Sequence, residues 1–213
     1  RQLPSDWAEH RKLIAGVETT VHCMVNTLGF SRRVHFWCTD GADAEHTDEG
    51  LIRSFDWFGG VPAEVLVDNQ KAAVLLHPRG GPARFHSRFV DLAGHYGFVP
   101  RACRSARAQT KGKVESGVKY VKRNFLPGRV FRDLEDFNAQ LAAWQTEIAD
   151  LRIHGTTHEP PIERFKREAN ALTPLAGRAG FLAAMSRERV VADDWLVSID
   201  TNRYSVPWRL IGT

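Results

Sequence analysis

The sequence has 213 residues, of which 43% are hydrophobic and 25% charged, as is typical of a globular protein with one substantial core. It contains no run of about 20 apolar residues and no signal peptide, which excludes a membrane-spanning class and favours a cytoplasmic protein. The net charge of +4 is unevenly distributed, because ten basic residues between Arg101 and Arg132 accompany a single acid, Glu115. Such a block is typical of proteins that bind a phosphate backbone, and a solvated basic surface without a partner is the alternative.

Three cysteines, Cys23, Cys38 and Cys103, are isolated in the sequence and lie in apolar surroundings. An odd number without CxxC spacing argues against both a disulfide framework and a zinc site. We therefore expect reduced thiols that pack as small apolar side chains.

The first forty residues favour three consecutive antiparallel strands. Asp6 lies in the first strand, a turn is expected at residues 16–18, and the β-rich run 19–28 forms the second strand. Residues 33–39 alternate polar and apolar side chains, which predicts a third strand with one buried face.

A helix and a buried strand are predicted next. Asp43 is a suitable N-cap for a helix over about residues 44–58, and the glycine pair that follows would end it. The apolar run 63–67 predicts a strand that ends at Asp68. A loop, a helix and a short strand are then expected at residues 77–83, 87–96 and 98–100.

Apolar residues almost vanish between residues 104 and 113, which predicts a basic loop. Two helices with apolar stripes are expected after it, over about residues 114–126 and 133–152. The alternating tail, residues 187–211, predicts three short strands that form part of a small barrel.

Asp6, Asp68 and Glu115 occupy positions that suit a metal site. The first strand and the strand after the first helix are expected to be neighbours, so the two aspartates would face the same end of the sheet beside the helix of Glu115. Clustered carboxylates repel one another unless cations compensate, and their hard oxygens suit Mg²⁺ or Mn²⁺. Position alone does not select them, because an Asp at a strand end is more often a cap residue, and Glu115 is also spaced for a surface ion pair with Lys119.

Several segments together resemble the integrase-core transposases of bacterial insertion sequences, of the IstA type. The segments are Gln2–Trp7, Phe36–Asp40, Gly59–Ala72, Lys111–Glu115 and, after the core, His154–Phe165. The similarity runs from Gln2 to about Phe165 and continues more loosely through the tail, so it covers most of the chain.

The resemblance implies an α/β fold, an RNase H-like mixed sheet flanked by helices, and a DNA transposase of the DDE class. The family's acidic residues fall on Asp6, Asp68 and Glu115, which would hold two Mg²⁺ or Mn²⁺ ions for phosphoryl transfer. Such an enzyme cleaves DNA at transposon ends and transfers the freed 3′-OH into target DNA. Two alternatives stay open: an RNase H-like nuclease without strand transfer, and a non-catalytic DNA-binding assembly module.

The expected domains are a catalytic core over residues 1–127, a helical extension or linker over 128–175, and a partial small β-barrel over 176–213. Six basic side chains are expected to bind DNA phosphates: Arg107, Lys111, Lys113, Lys119, Lys122 and Arg123.

The implied partners are double-stranded DNA of the transposon ends and the target, further copies of the chain on that DNA, and an AAA+ ATPase helper of the IstB type. We expect a location in the bacterial cytoplasm, on the nucleoid and away from membranes. Only five residues precede Asp6, so we expect the chain to lack the N-terminal helix-turn-helix of such proteins. We therefore expect weak DNA binding without sequence preference.

Overall fold

The computed structural model divides into two compact units, Arg1–Ala176 and Gly177–Thr213. The residues that it describes are 2–68, 71–78, 81–103, 117–175, 180, 181, 191, 194–199 and 202–211. Within these ranges no helix has both the length and the apolar character needed to cross a membrane.

A five-stranded mixed sheet forms the centre of the first unit. Its strands are β1 (Gln2–Ile14), β2 (Val17–Thr27), β3 (Val34–Thr39), β4 (Glu64–Val67) and β7 (Val99–Ala102), in the spatial order β3-β2-β1-β4-β7. The first three strands are antiparallel, whereas β4 pairs in parallel with β1 and β7 in parallel with β4. The predicted α/β fold with a mixed sheet is confirmed, and the strand of Asp6 does lie beside the strand that ends before Asp68.

The turn between β1 and β2 lies earlier than the sequence predicted. Ala15 and Gly16, with φ of 52° and 80°, separate the register pair Ile14 and Val17. A two-residue turn with both φ values positive matches the twist of the flanking strands. Residue 17, expected in the turn, is therefore the first residue of β2.

Helix α1 (Ala44–Phe58) covers one face of the sheet and has the predicted ends. The Asp43 side chain accepts a hydrogen bond from a backbone N–H of the first turn at 3.0 Å, and Gly59 ends the helix with a φ of 67°. The helix approaches β2 closely at Gly50, whose carbonyl accepts a hydrogen bond from Asn26 Nδ2 at 3.2 Å.

A row of buried polar side chains crosses the sheet beneath α1. Ser5, Asn26 and His35 are register neighbours on β1, β2 and β3. Within the described part of the chain, Ser5 Oγ, Asn26 Oδ1 and His35 Nδ1 have no hydrogen-bond partner. Burial, with a smaller contribution from Arg53 and Arg33, lowers the pKa of His35 to about 3. The His35 imidazole is therefore neutral at pH 7.

A small hairpin and a second helix connect β4 to β7. The hairpin strands β5 (Val74–Leu76) and β6 (Arg84–Phe85) flank the residues for which the sequence predicted a loop, and α2 (Ser87–Tyr96) has the predicted bounds. The α2 residue Leu92 is fully buried, so this helix packs on the rest of the unit as an amphipathic element.

Helices α3 and α4 lie on the opposite face of the sheet from α1. The described part of α3 covers residues 117–125, of which Val121–Phe125 form a π-helical turn. Helix α4 (Leu134–Trp144) continues into a second π-helical turn, Gln145–Ala149. The two predicted helices are confirmed where they are described, but each contains a wider turn that the apolar spacing did not predict.

The main core lies between these helices and the sheet. The residues of β2 and β3 in it are Val21, Cys23, Val25, Phe36 and Cys38, and the helical residues include Val121, Phe125, Phe137, Leu141 and Trp144. The predicted apolar stripe of α4 is thereby confirmed. This core contains residues from both sides of position 127, and the domain bounds stay a prediction.

Helix α5 (Pro161–Glu168) is attached to the turn between β2 and β3. The Glu168 carboxylate is fully buried and accepts hydrogen bonds from the backbone N–H groups of Ser31 at 2.9 Å and Phe30 at 3.4 Å. Arg164 donates to the carbonyl of Phe30 at 3.0 Å. Charged hydrogen bonds of this kind fix the position of the helix against the turn.

The second unit contains an antiparallel hairpin of β8 (Leu196–Ile199) and β9 (Asn202–Ser205). Val191 and Ile211 form a single parallel bridge. The described residues thus contain two of the three predicted strands, and the partial barrel is not confirmed.

Candidate active site

Two of the three predicted metal ligands are neighbours in the sheet. Ser5 of β1 pairs with Val67 of β4 in parallel register. One further step along both strands places Asp6 beside Asp68, and neighbouring parallel strands lie about 4.8 Å apart. The backbone N–H of Trp7 donates to Asp6 Oδ1 at 2.9 Å, which orients that carboxylate. The two carboxylates are therefore brought together by strand pairing, as the sequence predicted.

Cys103 extends this row onto β7. Its backbone N–H donates to the carbonyl of Val67 at 2.9 Å, so it follows β7 as Asp68 follows β4. Burial raises the pKa of the Cys103 thiol to about 11, and the charges of Asp68 and Asp6 add to the effect. The expectation that Cys103 lies in apolar surroundings was therefore wrong. The parallel pairing of β4 with β7 brings Cys103 beside the two carboxylates.

Helix α3 approaches the same face of the sheet. A Cβ added to Gly117 would lie 3.3 Å from Val25 Cγ1, and Val25 is the register partner of Asp6. Paired residues on neighbouring strands point to the same face. The described start of α3 therefore packs on the face of the sheet that carries Asp6.

The remaining predicted residues divide into two groups. Lys119, Lys122 and Arg123 are exposed on α3. Four residues lie outside the described part of the chain: Arg107, Lys111, Lys113 and Glu115. Within the described part, no group of three or more His, Cys, Asp and Glu side chains is arranged to hold a metal ion.

The exposed basic residues of α3, Lys119, Lys122 and Arg123, form a basic surface that continues onto β1. His10 lies on the same face of β1 as Asp6, because the two residues are an even number of positions apart. Burial lowers the pKa of His10, and the charges of Lys122 and Lys12 lower it further. Lys122 and Lys12 are therefore both close enough to His10 for their charges to affect it. Lys12 was not among the predicted DNA-binding residues. Its signal in the sequence is weak, since Lys12 is far from the basic block.

Asp40 and Asp43, near the end of β3, do not join the carboxylate pair in the sheet. Asp43 caps α1, and Asp40 Oδ1 lies 3.4 Å from His46 Nε2 with its side chain largely exposed. The predicted capping role of Asp43 is confirmed.

Known proteins resemble this chain along nearly its whole length. It is 46% identical over 212 residues to the transposase for insertion sequence element IS21 of Pseudomonas aeruginosa, covering 99% of the chain and 54% of the relative. It is 48% identical over 170 residues to the transposase for insertion sequence element IS640 of Shigella sonnei, covering 79% of the chain and 54% of the relative. The chain thus spans about half the length of these relatives. Residues 176–213 match the family described as Mu transposase, C-terminal domain.

Solved structures show the same fold at low sequence identity. The HTLV-2 integrase catalytic core domain in complex with magnesium superposes with a TM-score of 0.51 at 15% identity, covering 77% of this chain and 95% of that one. The catalytic core domain of BIV integrase gives a TM-score of 0.53 at 12% identity, covering 78% and 95%. The fold of this chain is therefore the RNase H-like fold of integrase catalytic cores.

Proposed function

Because the chain belongs to the IS21-type transposases of bacterial insertion sequences, over a segment of 54% of their length, we propose that it carries the catalytic centre of such an enzyme. The centre would consist of Asp6, Asp68 and Glu115. The observation that carries the proposal is the parallel register of β1 and β4, which sets Asp6 beside Asp68. For Glu115 the support is indirect: Gly117, two residues later, packs against the register partner of Asp6.

The donor set fits a divalent cation. Carboxylate oxygens are hard ligands that Mg²⁺ and Mn²⁺ prefer, and a bound cation offsets the repulsion between two adjacent carboxylates. Asp6 and Asp68 would share the metals, and Glu115 would hold the second ion. When bound, two such ions stabilise the attacking and the leaving oxygen of an in-line phosphoryl displacement.

The proposed reaction has two steps, cleavage and joining. In cleavage, a water oxygen attacks the phosphorus at the transposon end, the bond from phosphorus to the 3′ oxygen breaks, and that oxygen leaves as a 3′-OH. In joining, this 3′-OH attacks a target phosphorus, the target's own bond to its 3′ oxygen breaks, and the proton passes to the leaving oxygen. Lys119 and Lys122, exposed on α3 beside this face, would neutralise neighbouring phosphates.

The substrates would be double-stranded DNA of the transposon ends and the target, in the bacterial cytoplasm on the nucleoid. Several copies of the longer protein would assemble on that DNA, together with an AAA+ ATPase helper of the IstB type.

The test uses branched DNA that imitates the joined product, because reversal of joining places every reacting group in one molecule. With Mg²⁺ or Mn²⁺, the chain is expected to release the transposon strand and reseal the target strand. Asp68→Asn should lower this rate at least about 100-fold, equivalent to about 2.7 kcal/mol of barrier, because one metal-ligand oxygen is replaced by an amide.

Asp91→Asn is the matched control, since Asp91 is an exposed residue of α2. Equal rates in the two variants would contradict the site. Cut strands without resealing would instead indicate a nuclease, and metal-independent binding without either product would indicate an assembly module.

A further inference from the structure

A basic pocket lies at the end of the β1–β2 hairpin, far along β1 from Asp6. The cavity has a volume of about 310 Å³, and its lining consists of Arg11, Lys12, Leu13, Glu18, Leu126, Pro127, Gly128 and Arg129. Three cations and one carboxylate give this lining a net charge of +2. None of these charged residues is needed by the proposed chemistry at the carboxylates.

Arg129 is held in place at this pocket. Its guanidinium lies 4.7 Å from the centre of the Phe125 ring, and its NH1 group donates to Gln140 Oε1 at 3.1 Å. Stacking and a side-chain hydrogen bond reduce the rotamer freedom that an arginine loses when it binds an anion. The pocket therefore contains one cation that is already oriented.

The pocket is continuous with the basic surface beside the active site. Lys12 lines the pocket, and its charge, like that of Lys122 of α3, lowers the pKa of His10. Lys12, His10 and Asp6 are spaced by even numbers of residues along β1, so they lie on one face of the strand. Positive side chains thus accompany β1 from the helix beside the carboxylates to the hairpin end.

The pocket lies at a defined distance from Asp6 along β1. Asp6 and Leu13 are seven positions apart, which corresponds to about 24 Å of extended strand. Base pairs in a duplex are separated by about 3.4 Å, so this length corresponds to about seven base pairs. We propose that the DNA duplex bound at the active site follows β1, and that the hairpin pocket binds one of its backbone phosphates, about seven base pairs from the reacting phosphate. This inference rests on the proposed function.

The test compares two branched DNAs in which the junction fixes the reacting phosphate. The duplex arm that follows β1 extends either about 4 or about 14 base pairs, so only the longer arm reaches the pocket at the spacing above. The triple variant Arg11→Gln, Lys12→Gln, Arg129→Gln should reduce the slope of log affinity against log salt by roughly 0.9 for each phosphate that the protein no longer neutralises. This reduction is expected with the long arm and not with the short one.

The matched control removes three cations elsewhere, by Arg53→Gln, Lys166→Gln and Arg167→Gln on α1 and α5, and should give the wild-type slope with both arms. A reduction that is equal for both arms, or no reduction with the long arm, would overturn the inference. Binding is measured without divalent cations, whereas catalysis on the short-arm DNA is measured separately with Mg²⁺. Failure of the phosphate site and failure of the proposed catalysis are therefore distinguishable.

His10 supplies a second measurement that does not require a variant. Lys12 and Lys122 lower its pKa in the free chain, and a phosphate bound beside them would offset their charge. Its pKa, followed by nuclear magnetic resonance, should rise with both arms, because Lys122 meets phosphates beside the active site, and should rise further with the long arm, because only that arm reaches Lys12. An equal rise with both arms would also overturn the inference.

Discussion

Cys103 reports on the carboxylate pair because its thiol lies beside both aspartates. Only the thiolate reacts rapidly with iodoacetamide, and a pKa of about 11, against an ordinary value of 9.0, reduces the thiolate fraction at pH 8 by about 100-fold. Cys23 and Cys38 are buried in the core, so alkylation of the folded chain reports mainly on Cys103.

We expect slow alkylation of Cys103 in the wild-type chain and faster alkylation in Asp68→Asn. Removing the Asp68 charge lowers the thiol pKa, although burial, the larger cause, stays. The rate is measured by mass spectrometry of the folded protein, with Asp91→Asn as the control. An unchanged rate in Asp68→Asn would mean that Asp68 and Cys103 are not neighbours.

His35 makes the stability of the fold sensitive to acid. Its folded-state pKa of about 3 lies below the ordinary value of 6.5, so below pH 6.5 the unfolded chain binds a proton that the folded chain does not. The free energy of unfolding therefore falls as the pH decreases from 6.5 towards 3. Between pH 7.5 and pH 5, His35 alone should contribute a loss of about 2 kcal/mol.

Urea unfolding of the wild-type chain and of His35→Gln at these two pH values measures that contribution. His10 and His154, whose pKa values are also lowered, are present in both proteins, so the difference between the two pH dependences isolates His35. The same loss in both proteins would contradict a buried neutral imidazole at this position.

Two glycines in helices are expected to have opposite effects on stability when each is replaced by alanine. A Cβ at Gly50 of α1 would overlap Met24 Sδ and lie 3.1 Å from Trp37 Cε3, whereas a Cβ at Gly94 of α2 meets nothing within 4 Å. Gly94→Ala should raise the free energy of unfolding by up to about 1 kcal/mol through helix propensity. Gly50→Ala should lower it, because overpacking costs about 1–3 kcal/mol.

Thermal or urea unfolding of both variants measures the two signs. If Gly50→Ala stabilises the protein as much as Gly94→Ala does, this result would contradict the close packing of α1 on β2. Neither glycine lies in the active site, so the comparison concerns the packing of the elements alone.

The elements show which features a sequence specifies locally. Asp43 and Gly59 fixed the ends of α1, because a cap and a left-handed stop act within a few residues. The π-helical turn in α3 could not be predicted, since Val118, Val121 and Phe125 have spacings that suit an ordinary α-helix. Strands β5 and β6 have three and two residues, too few to show an alternating pattern.

The candidate site depends on contacts between residues that are distant in the sequence. The position of Asp6 beside Asp68 was predicted because the element order and the family resemblance both indicated neighbouring strands. The position of Cys103 was not, since it depends on β7 pairing with β4, and nothing in the residues around Cys103 indicates that register. The Lys12 side of the basic surface was missed for the same reason, because α3 and β1 meet only in the folded chain.

The attachment of Glu168 to Ser31 has a consequence during synthesis. The two residues are 137 positions apart, and a ribosome adds about 5–20 residues each second, so about 7–27 s pass between them. Throughout this interval the N–H groups of the nascent β2–β3 turn lack the carboxylate that they bind in the folded chain. The strands therefore emerge before the helix that is attached to their turn. Folding of the first unit on the ribosome is therefore completed only after α5 emerges, and until then the early strands have edges that can pair with other chains.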